Sequence, residues 1–293
     1  MIKIEKTEVF GFKAAIRGMR NPMNSWDKID SYEETISNEY NSIDKLFIIG
    51  PNDLRLMKKL TLSGPSHRKY LRMITVQADV TAPLYWWKDY DTYKISTVAN
   101  SCSTMHKITS RPLTLDDFSC EHLFNESEMP LDTPIDMVIN EHFDSSLKEL
   151  ERTINILNYW ISEYKKYIDK NDKDTAKKIW WQIIQTLPTS FNQKRTIQLS
   201  YETCLNILIN RSNHKLDEFR DFCKWIRSLP YSEIITCAVD NKENYNDLKN
   251  DFMKKTVYNF FKSMDENAKE LDYLSNEELE LIFKNITGNR FSL

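Results

Sequence analysis

The chain is poor in glycine, with only 5 Gly among 293 residues. Enzymes with a Rossmann or P-loop fold hold phosphates in loops that need clustered glycines. The clearest glycine-containing segments, Ile-Gly-Pro at 49–51 and Ser-Gly-Pro at 63–65, are typical of turns. The composition therefore argues against a nucleotide-binding site of either type.

A surplus of positive charge is also missing, because 40 Lys and Arg stand against 43 Asp and Glu, for a net charge of -3. Nucleic-acid-binding proteins usually have a basic balance or a concentrated basic face. The lysine-rich segment 165–178 is interleaved with Asp169, Asp172 and Asp174, which favours a solvated helix surface and turn. We therefore expect no nucleic-acid partner.

The motifs of several other protein classes are absent. The 5 cysteines form no CxxC pair and are odd in number, so we expect free thiols and no disulfide framework. The 5 histidines lack HExxH spacing, and no GxSxG motif of a serine hydrolase is present. No apolar run approaches the roughly 18 residues of a membrane span, and no signal-peptide pattern begins the chain. These observations predict a cytoplasmic protein with no metal site and no membrane partner.

The first half of the chain combines strand and helix patterns. Alternating apolar residues predict strands over 1–12 and 70–81. Pro83 is expected to end the second strand and to open a short aromatic helix or turn. Helices or helical pieces are expected over 14–21, within the polar stretch 23–42, over 54–62 after a cap at Asn52-Asp53, and over 84–93.

The second half is expected to be helical from about residue 144 onward, because apolar residues recur there at spacings of three and four. The expected helices cover 147–164, 176–187, 199–213, 219–229, 246–264 and 276–286. A boundary near 130–136 is one possibility for the domain organisation. We divide the chain into a domain over 1–230 and a C-terminal helical extension over 231–293.

Segment 187–226 carries the most unusual combination of residues. Its polar side chains on or beside an apolar helical pattern are Asn206, Arg211, His214, Glu218 and Arg220. Arg and Asn that face a protein interior are costly unless a partner satisfies them, so the segment predicts a pocket for a polar, anionic ligand. Asn206 and Arg211 point about 140° apart on one helix. The alternative is that Arg211 pairs with Glu202, Asp217 or Glu218.

Segment 82–106 is dense in aromatic and hydroxyl side chains. Its aromatic cluster of Trp86, Trp87, Tyr90 and Tyr93 is typical of a core or an interface, with a stacking platform as the alternative. Hydroxyls over 96–104 are suited to holding a phosphate that Lys88, Lys94 and Lys107 would neutralise. The alternative is a hydroxyl-rich loop that caps a helix.

In the order of these features, residues 53–226 resemble the flavin-dependent thymidylate synthases, the ThyX family. Ser66-His67 falls where the family has Gly-His, and the strand then leads into Ala82-Pro83 as in many members. Residues 92–97 lie on the signature Arg-His-Arg-x-x-Ser. Asn100, Ser101 and Ser103 then lie close to the family's following Asn-Glu-x-Ser. Leu187-Pro188 matches a Leu-Pro of the family, and Asn206 and Arg211 match an Asn and an Arg. His214, Glu218 and Arg220 fit the last motif if one residue is deleted.

The chain departs from the family at its signature. Thr92, Tyr93 and Lys94 stand where members have Arg, His and Arg. A flavin-contacting His of the family falls on Met73, and an Arg that grips the nucleotide phosphate falls on Thr104 or Met105. The resemblance is therefore one of scaffold more than of catalytic residues.

The resemblance implies an α+β fold with a mixed sheet flanked by helices, assembled as a homotetramer with active sites between subunits. It implies a methyltransferase that converts dUMP to dTMP with methylenetetrahydrofolate, while FAD carries hydride from NADPH. Arg211 would be catalytic by polarising the uracil ring. The residues implied for flavin are His67, Tyr93, Lys94 and Asn206, and those for the nucleotide are Lys88, Thr97, Ser101, Ser103 and Arg211.

Two other functions stay open at this point. One is a catalytically altered or inactive protein of the same fold, serving as a nucleotide-binding or structural oligomer. The loss of Arg-His-Arg at residues 92–94 motivates this alternative. The other retains flavin chemistry but acts on a different acceptor, such as a modified pyrimidine, because fold alone does not choose among activities.

Overall fold

The computed structural model describes residues 2–37, 43–128, 145–240 and 282. Its main sheet has four strands in the order β1-β4-β6-β5, and a separate hairpin pairs β2 with β3. The strands are β1 (Lys3–Phe10), β2 (Tyr32–Ser37), β3 (Ile43–Ile48), β4 (Thr75–Pro83), β5 (Thr97–Ser101) and β6 (Asn192–Ser200). All pairings between these strands are antiparallel, where a mixed sheet was expected.

Helices pack against the main sheet, and the expected α+β class with helices beside a sheet is confirmed. The α-helices are α1 (Phe12–Arg20), α2 (Pro51–Leu62), α3 (Leu84–Tyr90), α4 (Thr104–Lys107), α5 (Ser146–Asp169), α6 (Lys173–Thr186), α7 (Tyr201–Arg211) and α8 (Asp217–Arg227). Residues 233–240 are helical as well. No helix in the described part of the chain combines the length and apolar character needed to cross a membrane.

Strand β4 lies in the interior of the sheet, with β1 on one side and β6 on the other. Val76, Ala78 and Val80 are buried along one face, as the alternation predicts. The strand begins later than expected, because Lys69–Met73 forms a 3-10 helix. The consecutive residues Tyr70 and Leu71 are both buried there.

Three strands correct the sequence-based expectations. β5 lies in the hydroxyl-rich stretch 96–104 that was expected to be loop. β2 lies in the segment 23–42 that was expected to be loop with a helical piece. β6 interrupts the second half that was expected to be helical throughout, and it pairs with both β4 and β5. Only Ile197 and Leu199 are buried apolar residues in β6, so the period-2 pattern is too short to be recognised without its partners.

The start of α2 is also different from the expected cap. Pro51 occupies the first turn after Gly50, and no side chain of the helix start acts as a cap. The carboxylate of Asp30 accepts instead from the backbone N–H of Asn52 at 2.7 Å and of Asp53 at 3.0 Å. This frees the Asp53 side chain for a buried ion pair with α1.

Two hydrophobic clusters support these elements. The larger one lies between the sheet and helices α1, α3, α7 and α8, and it includes Trp86, Trp87 and Tyr90, as expected for a core. The smaller one joins α5 and α6, as Leu157 and Ile183 are both fully buried. The helices expected over 246–264 and 276–286, apart from residue 282, and the boundary near 130–136 lie outside the described residues.

Candidate functional site

Helix α7 has one face in the core and one face open to solvent. Ser200 ends β6 and caps the helix, because its hydroxyl accepts from the backbone N–H of Thr203 at 3.2 Å. The inner face of the helix consists of Tyr201, Cys204, Leu205 and Leu208, all fully buried. The outer face presents half-buried Asn206 together with exposed Ile209 and Asn210. Among the predicted ligand-binding residues of segment 187–226, this face carries Asn206.

One side of the outer face is bounded by the turn before β4. Arg68 Nε donates to both carboxylate oxygens of Glu202, at 3.1 and 3.0 Å, and both side chains are 11% exposed. Glu202 lies one helical turn before Asn206 on the same side of α7. The adjoining His67 is exposed, so it is available to a ligand lying over Asn206.

The other side is bounded by the segment between α3 and β5. Thr203 Oγ1 donates to the carbonyl of Ile95 at 3.0 Å, which holds this segment against α7. The Thr97 hydroxyl donates to the carbonyl of Tyr93 and closes the turn. Lys94 and Ile95 are both exposed at its tip.

Arg211, the last residue of α7, is the centre of a partly buried polar cluster. Its NH2 donates to Asp89 Oδ1 at 2.6 Å, and His214 Nε2 lies 3.4 Å from Asp89 Oδ2. The guanidinium carbon is 5.7 Å from the ring centroid of Tyr93 and 5.3 Å from that of Phe219. Burial raises the pKa of the Tyr93 hydroxyl, so Tyr93 stays neutral at physiological pH and remains able to donate a hydrogen bond.

The alternative partners considered for Arg211 are not the ones observed. Glu202 is bound by Arg68, Asp217 by Arg220, and Glu218 accepts from the Tyr85 hydroxyl. Arg211 pairs instead with Asp89, because α3 packs beside the end of α7. Arg211 Nε is buried and has no hydrogen-bond partner within the described residues. An unpaired buried donor is uncommon in native proteins and marks this group as incompletely satisfied.

Asn206 and Arg211 do not face each other. The helical separation of about 140° places them on different sides of α7. The segment from Tyr93 to Thr97 contacts the helix at Thr203, which lies between these two directions. The two residues therefore flank this segment, and a single ligand would have to reach over it to touch both.

The hydroxyls expected to hold phosphate lie farther along β5. Ser101 ends the strand opposite Arg195, and its separation from Thr97 is about 13 Å along the strand. Ser103 caps α4, where its Oγ accepts from His106 N at 3.3 Å, as the capping alternative predicts. Ser101, Ser103 and Arg211 are therefore not brought together within one chain.

A cavity of about 270 Å³ adjoins Ser103. Its lining includes Ser103, Thr104, Lys107, Arg111 and Lys194. Thr104 occupies one of the two positions where the family has a phosphate-gripping Arg. Lys107 supplies positive charge from elsewhere, whereas Lys194 is paired with Asp79 at 3.1 Å. Lys88, the remaining nucleotide candidate, is exposed on α3 and does not line this cavity.

Two charged residues of the site were not recognised in the sequence. Asp89 binds Arg211, and Arg195 binds Asp91 through NH1 at 2.8 Å while its guanidinium lies 4.2 Å from the Trp87 ring centroid. Asp89 could have been found, because Asp89 and Asp91 are acidic residues within the aromatic segment 82–106. Arg195 had none, because its strand was not predicted. In the described part of the chain, no group of three or more His, Cys, Asp and Glu is arranged to hold a metal ion.

Comparison with known proteins gives similar structures at low sequence identity. No family model and no curated protein sequence matches the chain. A thymidylate synthase ThyX from Helicobacter pylori, solved with FAD and dUMP, is 12% identical with a TM-score of 0.48 over 81% of this chain and 99% of its own. A UMP/dUMP methylase, PolB from Streptomyces cacaoi, solved with 5-Br UMP, is 13% identical with a TM-score of 0.47 over 81% of this chain and 95% of its own. Both TM-scores lie below 0.5, so neither likeness assigns a function.

Proposed function

We propose that this chain is a divergent protein of the flavin-dependent thymidylate synthase type, which binds dUMP and FAD. Its reaction would be the methylation of dUMP to dTMP with methylenetetrahydrofolate as the carbon donor and NADPH as the reductant. Its compartment would be the cytoplasm. The observation that carries the proposal is the environment of Arg211, the residue that the sequence resemblance assigns to the pyrimidine.

The Arg211 cluster has the properties of a site for a polar planar ligand. The guanidinium is held by Asp89 on one side, while its Nε lacks a partner among the described residues. Tyr93 and His214 add a neutral hydroxyl and an imidazole beside it. Hydrogen-bond donors fixed in a partly buried position are suited to polarise a carbonyl such as that of uracil, because their strength rises as water is excluded.

The residues on the outer face of α7 fit a flavin. His67, Lys94 and Asn206 supply hydrogen-bonding groups on the helix and on both of its flanks. Large apolar side chains are unusually exposed beside Lys94 and Asn206: Ile95 is 79% and Ile209 40% exposed. An isoalloxazine ring is flat and amphipathic, so these apolar side chains would cover its faces while the polar groups bind its edge. When bound, FAD would supply the hydride chemistry, and the protein would bind and orient it.

The separation between the Arg211 cluster and the hydroxyls near Ser103 supports a site shared between subunits. One chain offers pyrimidine-binding groups at the end of α7 and phosphate-binding groups at the end of β5. A single nucleotide would contact both sets if a second copy supplied one of them. The homotetramer implied by the resemblance is therefore part of this proposal.

A second candidate function is favoured by the turn that replaces the signature. Thr92 Oγ1 donates to the carbonyl of Asp89 at 2.7 Å, so this residue stabilises the turn instead of presenting a charge. The Asp89 carboxylate also offsets the charge of Arg211. A nucleotide-binding or structural oligomer without synthase activity is consistent with these two features.

Visible absorption spectra of the purified protein, recorded before and after addition of FAD and then dUMP, test the proposal. Flavin bands that co-purify, or that shift when dUMP is added, are the expected result. Lys94→Ala should weaken the response to FAD. Lys215→Ala should not, because Lys215 is exposed and is not among the residues proposed to contact the flavin. A colourless protein that ignores FAD would contradict the flavin assignment, and dUMP binding measured by calorimetry would then support the second candidate.

Synthase activity needs a separate test. Complementation of a thymidine auxotroph by the wild-type chain is the expected outcome, with Arg211→Ala as the inactive control. Complementation would eliminate the second candidate.

A further inference from the structure

A cleft between α2 and the end of α1 forms a second concentration of polar groups. It has a volume of about 530 Å³. Its lining consists of Arg20, Lys28, Asn52, Arg55, Leu56 and Lys59. None of these residues belongs to the α7 face or to the Arg211 cluster, so the cleft is distinct from the site proposed above.

The spacing of the α2 residues explains why they line one wall. Asn52, Arg55, Leu56 and Lys59 are separated by three and four positions and therefore lie on one face of the helix. Arg55 NH2 donates to Asn52 Oδ1 at 2.9 Å, which holds the guanidinium along this wall.

The opposite wall is formed by Arg20, the last residue of α1, and by Lys28 in the 3-10 helix Trp26–Lys28.

The charge of the cleft is positive after its ion pairs are counted. Arg20 is neutralised by Asp53, which is fully buried beneath it. Among the residues that the structure describes, no carboxylate lines the cleft and none forms an ion pair with Lys28, Arg55 or Lys59. Three cations around one concave surface produce a local positive potential, although the whole chain has a net charge of -3.

We propose that this cleft binds a small anion with two or more phosphoryl groups, such as a nucleoside diphosphate, a nucleoside triphosphate or inorganic tripolyphosphate. Arg55 offers a planar fork of donors, and Lys28 and Lys59 offer mobile point charges, which together match several phosphate oxygens. The volume lies in the range of small-molecule sites. Leu56 is the only apolar lining residue in the described part of the chain, so the phosphates, and not a base, supply most of the recognition.

Isothermal titration of the full-length protein with inorganic tripolyphosphate at low ionic strength tests this site. The double variant Arg55→Ala/Lys59→Ala should weaken binding by at least about tenfold, because two charge-assisted contacts are removed. Lys58→Ala is the control: it removes one positive charge from the same helix, but Lys58 does not line the cleft. Its affinity should stay within about twofold of the wild type. Raising the salt concentration should weaken tripolyphosphate binding in the wild type and in Lys58→Ala.

Three results would overturn the proposal. The first is that the wild type does not bind tripolyphosphate. The second is that Lys58→Ala loses as much tripolyphosphate affinity as the double variant. The third is that the wild type prefers a single-stranded DNA oligonucleotide to tripolyphosphate and that the double variant abolishes this binding. The last result would assign the cleft to nucleic acid instead. Titration of ADP and ATP beside tripolyphosphate separates a nucleotide from an inorganic source.

Arg211→Ala should bind tripolyphosphate normally, so failure at this cleft and failure of the proposed function are distinguishable.

Discussion

Two arginine–aspartate pairs of the same length have different surroundings in this molecule. Arg20 NH2 lies 2.6 Å from Asp53 Oδ1, and Arg211 NH2 lies 2.6 Å from Asp89 Oδ1. The side chains of the first pair are 5% and 0% exposed, and those of the second are 25% and 26% exposed. The distance alone therefore does not distinguish a pair that supports the fold from one that is available to a ligand.

The difference lies in how completely each pair is hydrogen-bonded. Asp53 also accepts from Arg20 Nε at 2.7 Å, from the hydroxyl and backbone N–H of Ser31 at 2.7 and 3.1 Å, and from the backbone N–H of Asp30 at 3.1 Å. Arg211 has a buried Nε with no partner among the described residues. A fully satisfied buried pair leaves nothing for a ligand, whereas an incompletely satisfied pair near the surface does.

Alkaline pH should have the largest effect on the free energy of unfolding, because it acts on buried tyrosines in both regions. Burial raises the pKa of Tyr70, Tyr90 and Tyr201 above the ordinary 10.0. Their stabilisation is fully present below pH 10 and is lost as the pH rises further, because the unfolded chain ionises first. We expect a loss of about 4 kcal/mol for each pH unit above 10 from these three groups together. Urea denaturation across this range measures it.

The same titration compares the two regions directly. Tyr70 bonds to Met57 in α2, near Asp53, and is 3% exposed, whereas Tyr93 beside Arg211 is half-buried. Tyrosinate absorbance should therefore show Tyr93 ionising before Tyr70. Tyr93→Phe should remove the earlier of these two steps. If that variant leaves the early part of the titration unchanged, the assigned difference in burial is wrong.

Asp53→Asn should lower the free energy of unfolding by about 3 to 5 kcal/mol, because it leaves the Arg20 charge buried without a countercharge. Asp89→Asn is the matched variant of the exposed pair and should cost about 1 kcal/mol or less. Urea denaturation of both proteins provides the comparison. Equal losses in the two variants would show that burial does not separate the pairs.

Arg211→Ala should weaken dUMP binding by about 2 kcal/mol, which is about thirtyfold in the dissociation constant, through loss of charged hydrogen bonds. Calorimetry measures the affinity directly. Arg227→Ala is a suitable control. Arg227 is the last residue of α8 and pairs with Asp240 at 3.2 Å, so the variant removes an arginine outside the proposed site. Unchanged dUMP binding in Arg211→Ala would remove this residue from the proposed site.

The third pair, Arg68–Glu202, has an intermediate exposure of 11% on both sides, and its loss should have an effect on stability between those of the first two pairs. Glu202→Gln is expected to lower the free energy of unfolding by about 1.5 kcal/mol, since two charged hydrogen bonds are weakened. Glu163→Gln disrupts the exposed pair of Glu163 with Lys166 and should change the free energy of unfolding by less than about 0.5 kcal/mol. A melting temperature for Glu202→Gln that matches the Glu163→Gln control would contradict this ranking.

Much of the fold was readable from local patterns. The buried face of β4 and the helices α5 and α6 follow from alternation and from spacings of three and four. β6 was missed because residues 192–196 carry little apolar pattern, and the strand is stabilised by pairing on both edges. β2 was missed in a polar segment, where its partner β3 determines the structure.

The candidate site was only partly readable. The sequence identified Arg211 and Tyr93 as residues of interest, and the structure brings them together. It did not identify Asp89 as the partner of Arg211, because the two are 122 positions apart and no periodicity connects them. Ser101 and Ser103 were expected with Arg211, yet the length of β5 holds them at a distance.

The sequence itself determined the α+β class, the amphipathic helices and the aromatic core around Trp86, because residue type and short-range spacing decide which faces are buried. Tertiary structure alone decided which charges meet. The partners of Arg20, Arg211 and Glu202 all come from segments distant in sequence. The physical reason is that burial and hydrogen bonding at a charged group depend on every element packed around it, and that environment exists only once the chain has folded.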